Sequence, residues 1–233
     1  MTTRQERILK TIVEYYVQSA APVGSQVLAE QFRVSPATVR AEMAHLEQAG
    51  YVTHPYTSAG RVPTEKGYRF YIESLMEPAY KLDATTRQRN AIERRVRTAG
   101  SPQGAIKMAV DSLVGVTRNI GFATMGVATY TKGFSQLFHQ PEFANNLGEI
   151  AGLLDNLDLW LAETRPTEDV EAFIGEENTV GKDSGCAVIV SGYTSPYSNT
   201  SYVGVIGSTR QSYGNVMRIV NHTARTLEEV LHE

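Results

Sequence analysis

The chain has 233 residues, 42% of them hydrophobic and 20% charged, with a formal net charge of -3 and a single cysteine. That composition supports a packed core in one large domain or two small ones, and one cysteine excludes both an intrachain disulfide and a structural zinc site built on paired thiolates. No stretch of about 18 apolar residues is present and the first residues lack the apolar run of a secretory signal, so a cytoplasmic protein is expected.

Charge is unevenly spread. Residues 1–120 carry 16 Lys and Arg against 11 Asp and Glu, while residues 121–233 carry 6 against 14. A basic front half predicts a module that meets a polyanion, followed by a module with another task. Ile8, Leu9, Ile12, Val13, Tyr16 and Val17 recur at helical spacing and predict a first helix from Arg4 to Ser19. Ala21-Pro22-Val23-Gly24 breaks it. Ser25 is placed to cap a second, short helix to Phe32 that buries Val27 and Leu28, and Arg33-Val34 makes a turn. Ser35-Pro36 reads as an N-cap followed by proline at the first helical position, and Val39, Met43 and Leu46 form the buried stripe of a third helix ending at Gly50.

Tyr51 to His54 is a short strand pattern, Thr57-Ser58-Ala59-Gly60 a tight tip, and Arg61-Val62-Pro63 a return strand confined by proline to a sheet edge. Thr64 can cap a fourth helix with Tyr68, Tyr71, Ile72 and Leu75 inward. The arginine-rich stretch between residues 79 and 100 predicts a solvated linking helix. Beyond it come a helix to about Asn119, a strand at Phe122 to Val127, a loop around Lys132-Gly133 and one long helix opened by Pro141. Strands follow at Val170 to Ile174, Cys186 to Val190 and Tyr202 to Ile206, with a polar hairpin tip over residues 193–202, before a closing helix from Val216 to Leu231. The expected class is α+β: a winged helix-turn-helix (residues 1–76), a linking helix (77–104), and an α/β domain with a mainly antiparallel sheet (105–233).

The chemistry of interest lies at the start of the third helix. A helix-turn-helix reads DNA by placing that end of its second helix in the major groove, where each base pair shows a distinct donor and acceptor pattern. Ser35, Ala37, Thr38, Arg40, Ala41 and His45 lie off the buried stripe; the small residues allow close approach, Thr38 and Arg40 offer hydrogen bonds, and Arg40 can fork onto guanine or onto a phosphate. Ser58, Gly60 and Arg61 sit on the hairpin, where a wing would follow phosphates or enter a minor groove.

Residues 1–76 resemble the bacterial heat-inducible transcription repressor HrcA family. The likeness is carried by Pro22-Val23-Gly24-Ser25, Ser35-Pro36-Ala37-Thr38-Val39-Arg40, Met43-Ala44-His45-Leu46-Glu47, Gly50-Tyr51-Val52, and above all Thr57-Ser58-Ala59-Gly60-Arg61-Val62-Pro63-Thr64 with Gly67-Tyr68-Arg69. Weaker similarity continues through Pro141-Glu142-Phe143, Phe173 to Asn178, Gly204 to Arg210 and Tyr213. The resemblance implies a winged helix joined to a GAF-like domain, and a repressor of chaperone operons that binds an inverted-repeat operator on double-stranded DNA as a homodimer and depends on a GroEL-type chaperonin. The chain is shorter than the resemblance implies, with the shortfall near residues 130–140. A dimer contact is then expected from the helices of residues 79–120, from the GAF-like domain, or from both.

Other chemistry-bearing residues have plainer readings. Cys186 sits in an apolar run and reads as a buried small hydrophobe. His139 near Glu142 has no second histidine at a metal or triad spacing, and the adjacent carboxylates Glu176 and Glu177 point apart. The glycines at 204, 207 and 214 fit neither phosphate-binding pattern. Arg210 can bind an anion or brace the front domain. No metal, cofactor or catalytic activity is expected. The rival reading is a small-molecule sensor or enzyme in which the GAF-like domain is the active part and the winged helix docks protein.

Overall fold

The computed structural model describes residues 1–56, 59–76, 86–143, 146–167, 169–180 and 182–233, the side chains of Pro141 and Asp183 excepted. Two compact units divide the chain: Met1–Tyr80 with Arg210–Ser212, and Lys81–Thr209 with Tyr213–Glu233.

In the first unit α1 (Thr3–Ser19) begins with a reciprocal cap, Thr2 accepting from the Gln5 amide while the Gln5 side chain accepts from the Thr2 amide. Its buried edge is Ile8, Leu9, Ile12 and Val13. Helix α2 (Ser25–Phe32) starts after Gly24 with no side-chain cap, so Ser25 is the first helical residue rather than the cap. Val27, expected inside, is 41% exposed, because an eight-residue helix buries one narrow edge and Leu28 and Ala29 occupy it. Helix α3 (Pro36–Gln48) is capped by Ser35, whose hydroxyl accepts from the Thr38 amide at 3.1 Å; Val39, Met43 and Leu46 turn inward. Strands β1 (Val52–Thr53) and β2 (Val62–Pro63) pair antiparallel, and Thr64 caps α4 (Glu65–Leu75).

The second unit comprises α5 (Thr86–Arg97), α6 (Pro102–Thr117), β3 (Ile120–Met125), β4 (Ala128–Lys132), α7 (Leu147–Asp155), α8 (Leu157–Thr164), β5 (Glu171–Ile174), β6 (Cys186–Ser195), β7 (Ser198–Ser208) and α9 (Tyr213–His232). Its sheet runs β4-β3-β7-β6-β5, antiparallel at every pairing. Alternation along the strands serves both faces. Cys186, Val188 and Val190 of β6 join Ile120, Phe122 and Ile206 in one core with Phe143, Ile150, Leu153, Leu157, Trp160 and Leu161. On the other face α9 packs against β6 and β7, and α6 against β3.

Several expectations need correction. The long helix from Pro141 is a 3-10 turn (Pro141–Phe143) followed by two helices, which part at Asn156, where the side-chain amide donates to the Gly152 carbonyl at 2.8 Å and competes with the helical ladder. Strand β4 replaces the expected loop; it is a poorly buried edge strand, so its sequence lacks an apolar signal. Strands β6 and β7 extend to Ser195 and Ser198, leaving a two-residue connection where a long polar tip was expected. Helix α5 is not merely solvated, since Ile92 and Val96 are buried against α6 and α9.

Gly204 of β7 marks a tight point of this unit. A Cβ there would lie 2.5 Å from the Ile189 carbonyl oxygen and 2.6 Å from the Phe122 ring. Gly204→Ala is expected to destabilise the second unit by about 1–3 kcal/mol, the usual range for overpacking; a denaturant titration in which the midpoint does not move would refute that packing.

Candidate nucleic-acid interface

The sequence brings six of the nine expected contact residues onto one exposed side of α3 because its buried positions are spaced three and four apart. Ser35, Ala37, Arg40, Ala41 and His45 are exposed and Thr38 is half-buried. Ser35 and Thr38 share a hydroxyl hydrogen bond of 2.9 Å in addition to the cap. Arg40 Nε donates to the Pro36 carbonyl at 3.3 Å, which folds the side chain back toward the first turn of α3. His45 faces Glu42 at 4.0 Å, and Glu42 also accepts from the Gln5 amide group at 2.9 Å, tying α3 to α1.

A single β-bridge holds the hairpin at its root. Val23 and Arg61 exchange backbone hydrogen bonds, both 2.9 Å, adding the segment before α2 to the β1–β2 pair. Gly60 is required by this contact, since a Cβ would lie 2.4 Å from the Val23 carbonyl oxygen. Gly67 has the same role at the start of α4, where a Cβ would meet the Tyr51 carbonyl oxygen at 2.2 Å. Ser58 lies outside the described residues.

Arg61 is corrected in its position. It is not a cation on a free tip: its guanidinium bonds to Glu47 on the last turn of α3 at 2.7 Å, and its side chain is only 23% exposed. His54, beyond β1, bonds the other oxygen of the same carboxylate through Nδ1. Burial raises the Glu47 pKa, but the hydrogen bond from His54 and the charge of Arg61 outweigh it and hold the carboxyl below its ordinary value. One carboxylate thereby fastens both strands of the wing to α3. Sequence reading passed over Glu47 and Val23. Their partners lie 7, 14 and 38 positions away, and the only hint was an acidic residue at the end of a helix otherwise suited to a polyanion.

The second unit offers less chemistry. Burial pushes the Cys186 thiol up to about 11, as befits a core residue. An open groove of about 640 Å³ is lined by Thr124, Thr129, Asp158, Arg165, Thr200 and Tyr202, and Asp158 already accepts from the Thr129 hydroxyl at 2.7 Å. Arg210, grouped with the first unit, donates to the Val17 carbonyl at 3.2 Å. Among the described residues no group of three or more His, Cys, Asp or Glu is placed to hold a metal, and no helix is long and apolar enough to cross a membrane.

Comparison with known proteins bears on both units. A family model described as the winged helix-turn-helix transcription repressor HrcA DNA-binding domain matches residues 1–75, and one described as the HrcA protein C-terminal domain matches residues 76–217. The heat-inducible transcription repressor HrcA of Bifidobacterium animalis subsp. lactis is 42% identical over 118 residues, 50% of this chain and 31% of that protein. Its counterpart in Chloroflexus aggregans is 52% identical over 79 residues, 33% of this chain and 21% of that protein, so both matches span less than a third of the relative's length. The counterpart in Geobacter sulfurreducens is 24% identical over 346 aligned positions covering 99% of this chain and 98% of the relative; a chain of 233 residues leaves many of those positions without a counterpart. A crystal structure of a hypothetical protein, 20% identical, superposes with a TM-score of 0.82 over 99% of this chain and 98% of its own, which establishes a shared fold. With its N-terminal winged helix and its C-terminal domain both matched, the chain belongs to the HrcA family.

Proposed function

We propose that the chain is a sequence-specific transcriptional repressor that binds an inverted-repeat operator at chaperone genes as a homodimer, with α3 in the major groove and the wing on the flanking backbone. The observation that carries this reading is the exposed side of α3, where Ser35, Ala37, Thr38, Arg40 and Ala41 stand clear of the core at the end a helix-turn-helix presents to base edges, with His45 on the same side in the last turn. Arg40 supplies discrimination or charge, the alanines admit the backbone closely, and Gly60 and Arg61 hold the wing beside them. Operator symmetry requires a two-fold protein, and two linked half-sites bind far more tightly than one. Warming that separates or unfolds subunits then releases the operator. A GroEL-type chaperonin that refolds the protein opposes that loss; this partner rests on the family resemblance alone, and the heat response on that resemblance and on the relatives' name, heat-inducible transcription repressor.

A gel-shift titration against duplexes from the organism's own chaperone promoters tests the whole reading, and equal affinity for those and for random sequences would overturn it. Arg40→Ala is expected to weaken operator binding by about 1–3 kcal/mol with a smaller loss on random DNA. Equal losses on both would make Arg40 a phosphate contact.

The Glu47 carboxylate gives the wing a pH dependence whose sign is set. Its folded pKa is lowered from 4.5, so its contribution is present above pH 4.5 and disappears as the pH falls through the lowered value. Protection of the Arg61 and Val62 amides, taken as the exchange rate relative to the intrinsic rate at each pH, should fall in that window in the wild type and should be low and flat in Glu47→Gln. Superimposable pH profiles for the two proteins would show that the carboxylate does not hold the wing.

A further inference from the structure

We propose that α5 carries a second phosphate-binding surface, a stripe of arginines that grips the DNA backbone outside the bases read by α3. This rests on the DNA-binding reading above. Helix α5 holds five arginines and one glutamate in twelve residues and no lysine. Its two buried residues, Ile92 and Val96, fix which side faces the core. At about 100° per residue, Arg87 and Arg94 fall opposite that edge, with Arg95 and Arg97 on the flanks.

The flanks differ in what meets them. Arg97 is neutralised three times over: Nε to Glu93 at 3.1 Å, Nη2 to Glu229 of α9 at 2.7 Å, and Nη1 to Glu233. Those bonds raise its pKa, the one to Glu233 most. Arg97 is thus a structural tie between α5 and α9. Arg87, Arg94 and Arg95 are exposed and have no carboxylate partner among the described residues, although the chain as a whole carries more acid than base. Lys132, close enough to feel the charge of Arg95, is itself neutralised by a carboxylate: it bonds to Asp111 at 2.6 Å, and that bond raises its pKa.

A solvated helix face normally mixes signs, which limits self-repulsion. Keeping three like charges together has a cost that a polyanion would remove, and arginine in place of lysine suits forked contacts to phosphate oxygens. Chain length makes the contact reachable. Leu75, the last residue of α4, and Thr86, the first of α5, are eleven positions apart, so their Cα atoms are separated by at most about 40 Å, close to one turn of duplex. Once the first unit is on DNA, covalent connection within that distance raises the effective concentration of the arginines for nearby phosphates.

The test compares the full chain with its Arg87→Ala, Arg94→Ala, Arg95→Ala triple variant on a chaperone-promoter duplex and on a random-sequence duplex, across a salt series. Each neutralised phosphate contributes a log-log slope of about 0.9, so the triple variant should lose about two to three units of slope on both duplexes, with at least a tenfold loss of affinity at low salt. Preference for the promoter should be retained. A slope within half a unit of the wild type, about the resolution of such a titration, would overturn the inference. Should the triple variant melt early, the single change Arg94→Gln is read instead, with an expected loss of about one unit. A wild-type chain that binds neither duplex would sink the DNA-binding reading itself, a result distinct from a wild type that binds with the slope of the variant.

Discussion

The wing of the first unit depends on a main-chain contact at its root, the reciprocal pair between Val23 and Arg61. A hairpin whose two strands have two residues each cannot hold its own shape in water. A β-bridge to the segment before α2 braces it, and the absence of a side chain at Gly60 is what lets the chains approach. Glu47 then adds a charged tie from α3 to both strands. Recognition helix and wing are in this way parts of one arrangement, and a change at the wing root is felt at α3.

Thr64 extends the same logic into α4. Its hydroxyl donates to the Gly50 carbonyl at 2.7 Å and accepts from the Gly67 amide at 3.1 Å, while its own amide donates to the Tyr51 carbonyl. Lys66 closes the corner by donating to the Ala49 carbonyl and lying 4.6 Å over the Tyr51 ring. The end of α3, the start of the wing and the start of α4 thus share a single hydrogen-bonded knot. Among the motif residues that carry the family likeness, Gly60, Thr64 and Gly67 each satisfy a backbone group or vacate space for one.

The second unit obeys a different constraint, a sheet buried on both faces. Central strands β6 and β7 are apolar or small at nearly every position, and glycine stands where neighbours come closest: Gly121 against Val110 and Val114 of α6, Gly204 beside the Phe122 ring of the adjacent strand, and Gly207 against Asn119. Gln140 secures the 3-10 turn region, donating to the Arg118 carbonyl and accepting from the Ser208 amide. Surface charge is separated from this core, with arginine gathered on α5 and acid spread over the later elements.

By itself the sequence determined the order and type of most elements, the cap at Ser35, the buried stripe of α3 and the exposed set from Ser35 to His45, because these follow from spacings of three, four and seven along one helix. Resemblance in the wing motif named the family. What it could not place were features made by residues distant in sequence. Val23 joined the wing only through its β-bridge to Arg61, and Arg61 became a tie to α3 only by meeting Glu47. The apparent single helix after Pro141 parted at Asn156 because a side chain competed with the backbone ladder, and β4 formed from a nearly polar segment because β3 offered an open edge. Helical periodicity is a local property and survives in the sequence. Pairing, close approach and charge neutralisation are decided between segments, and only the tertiary structure brings those segments together.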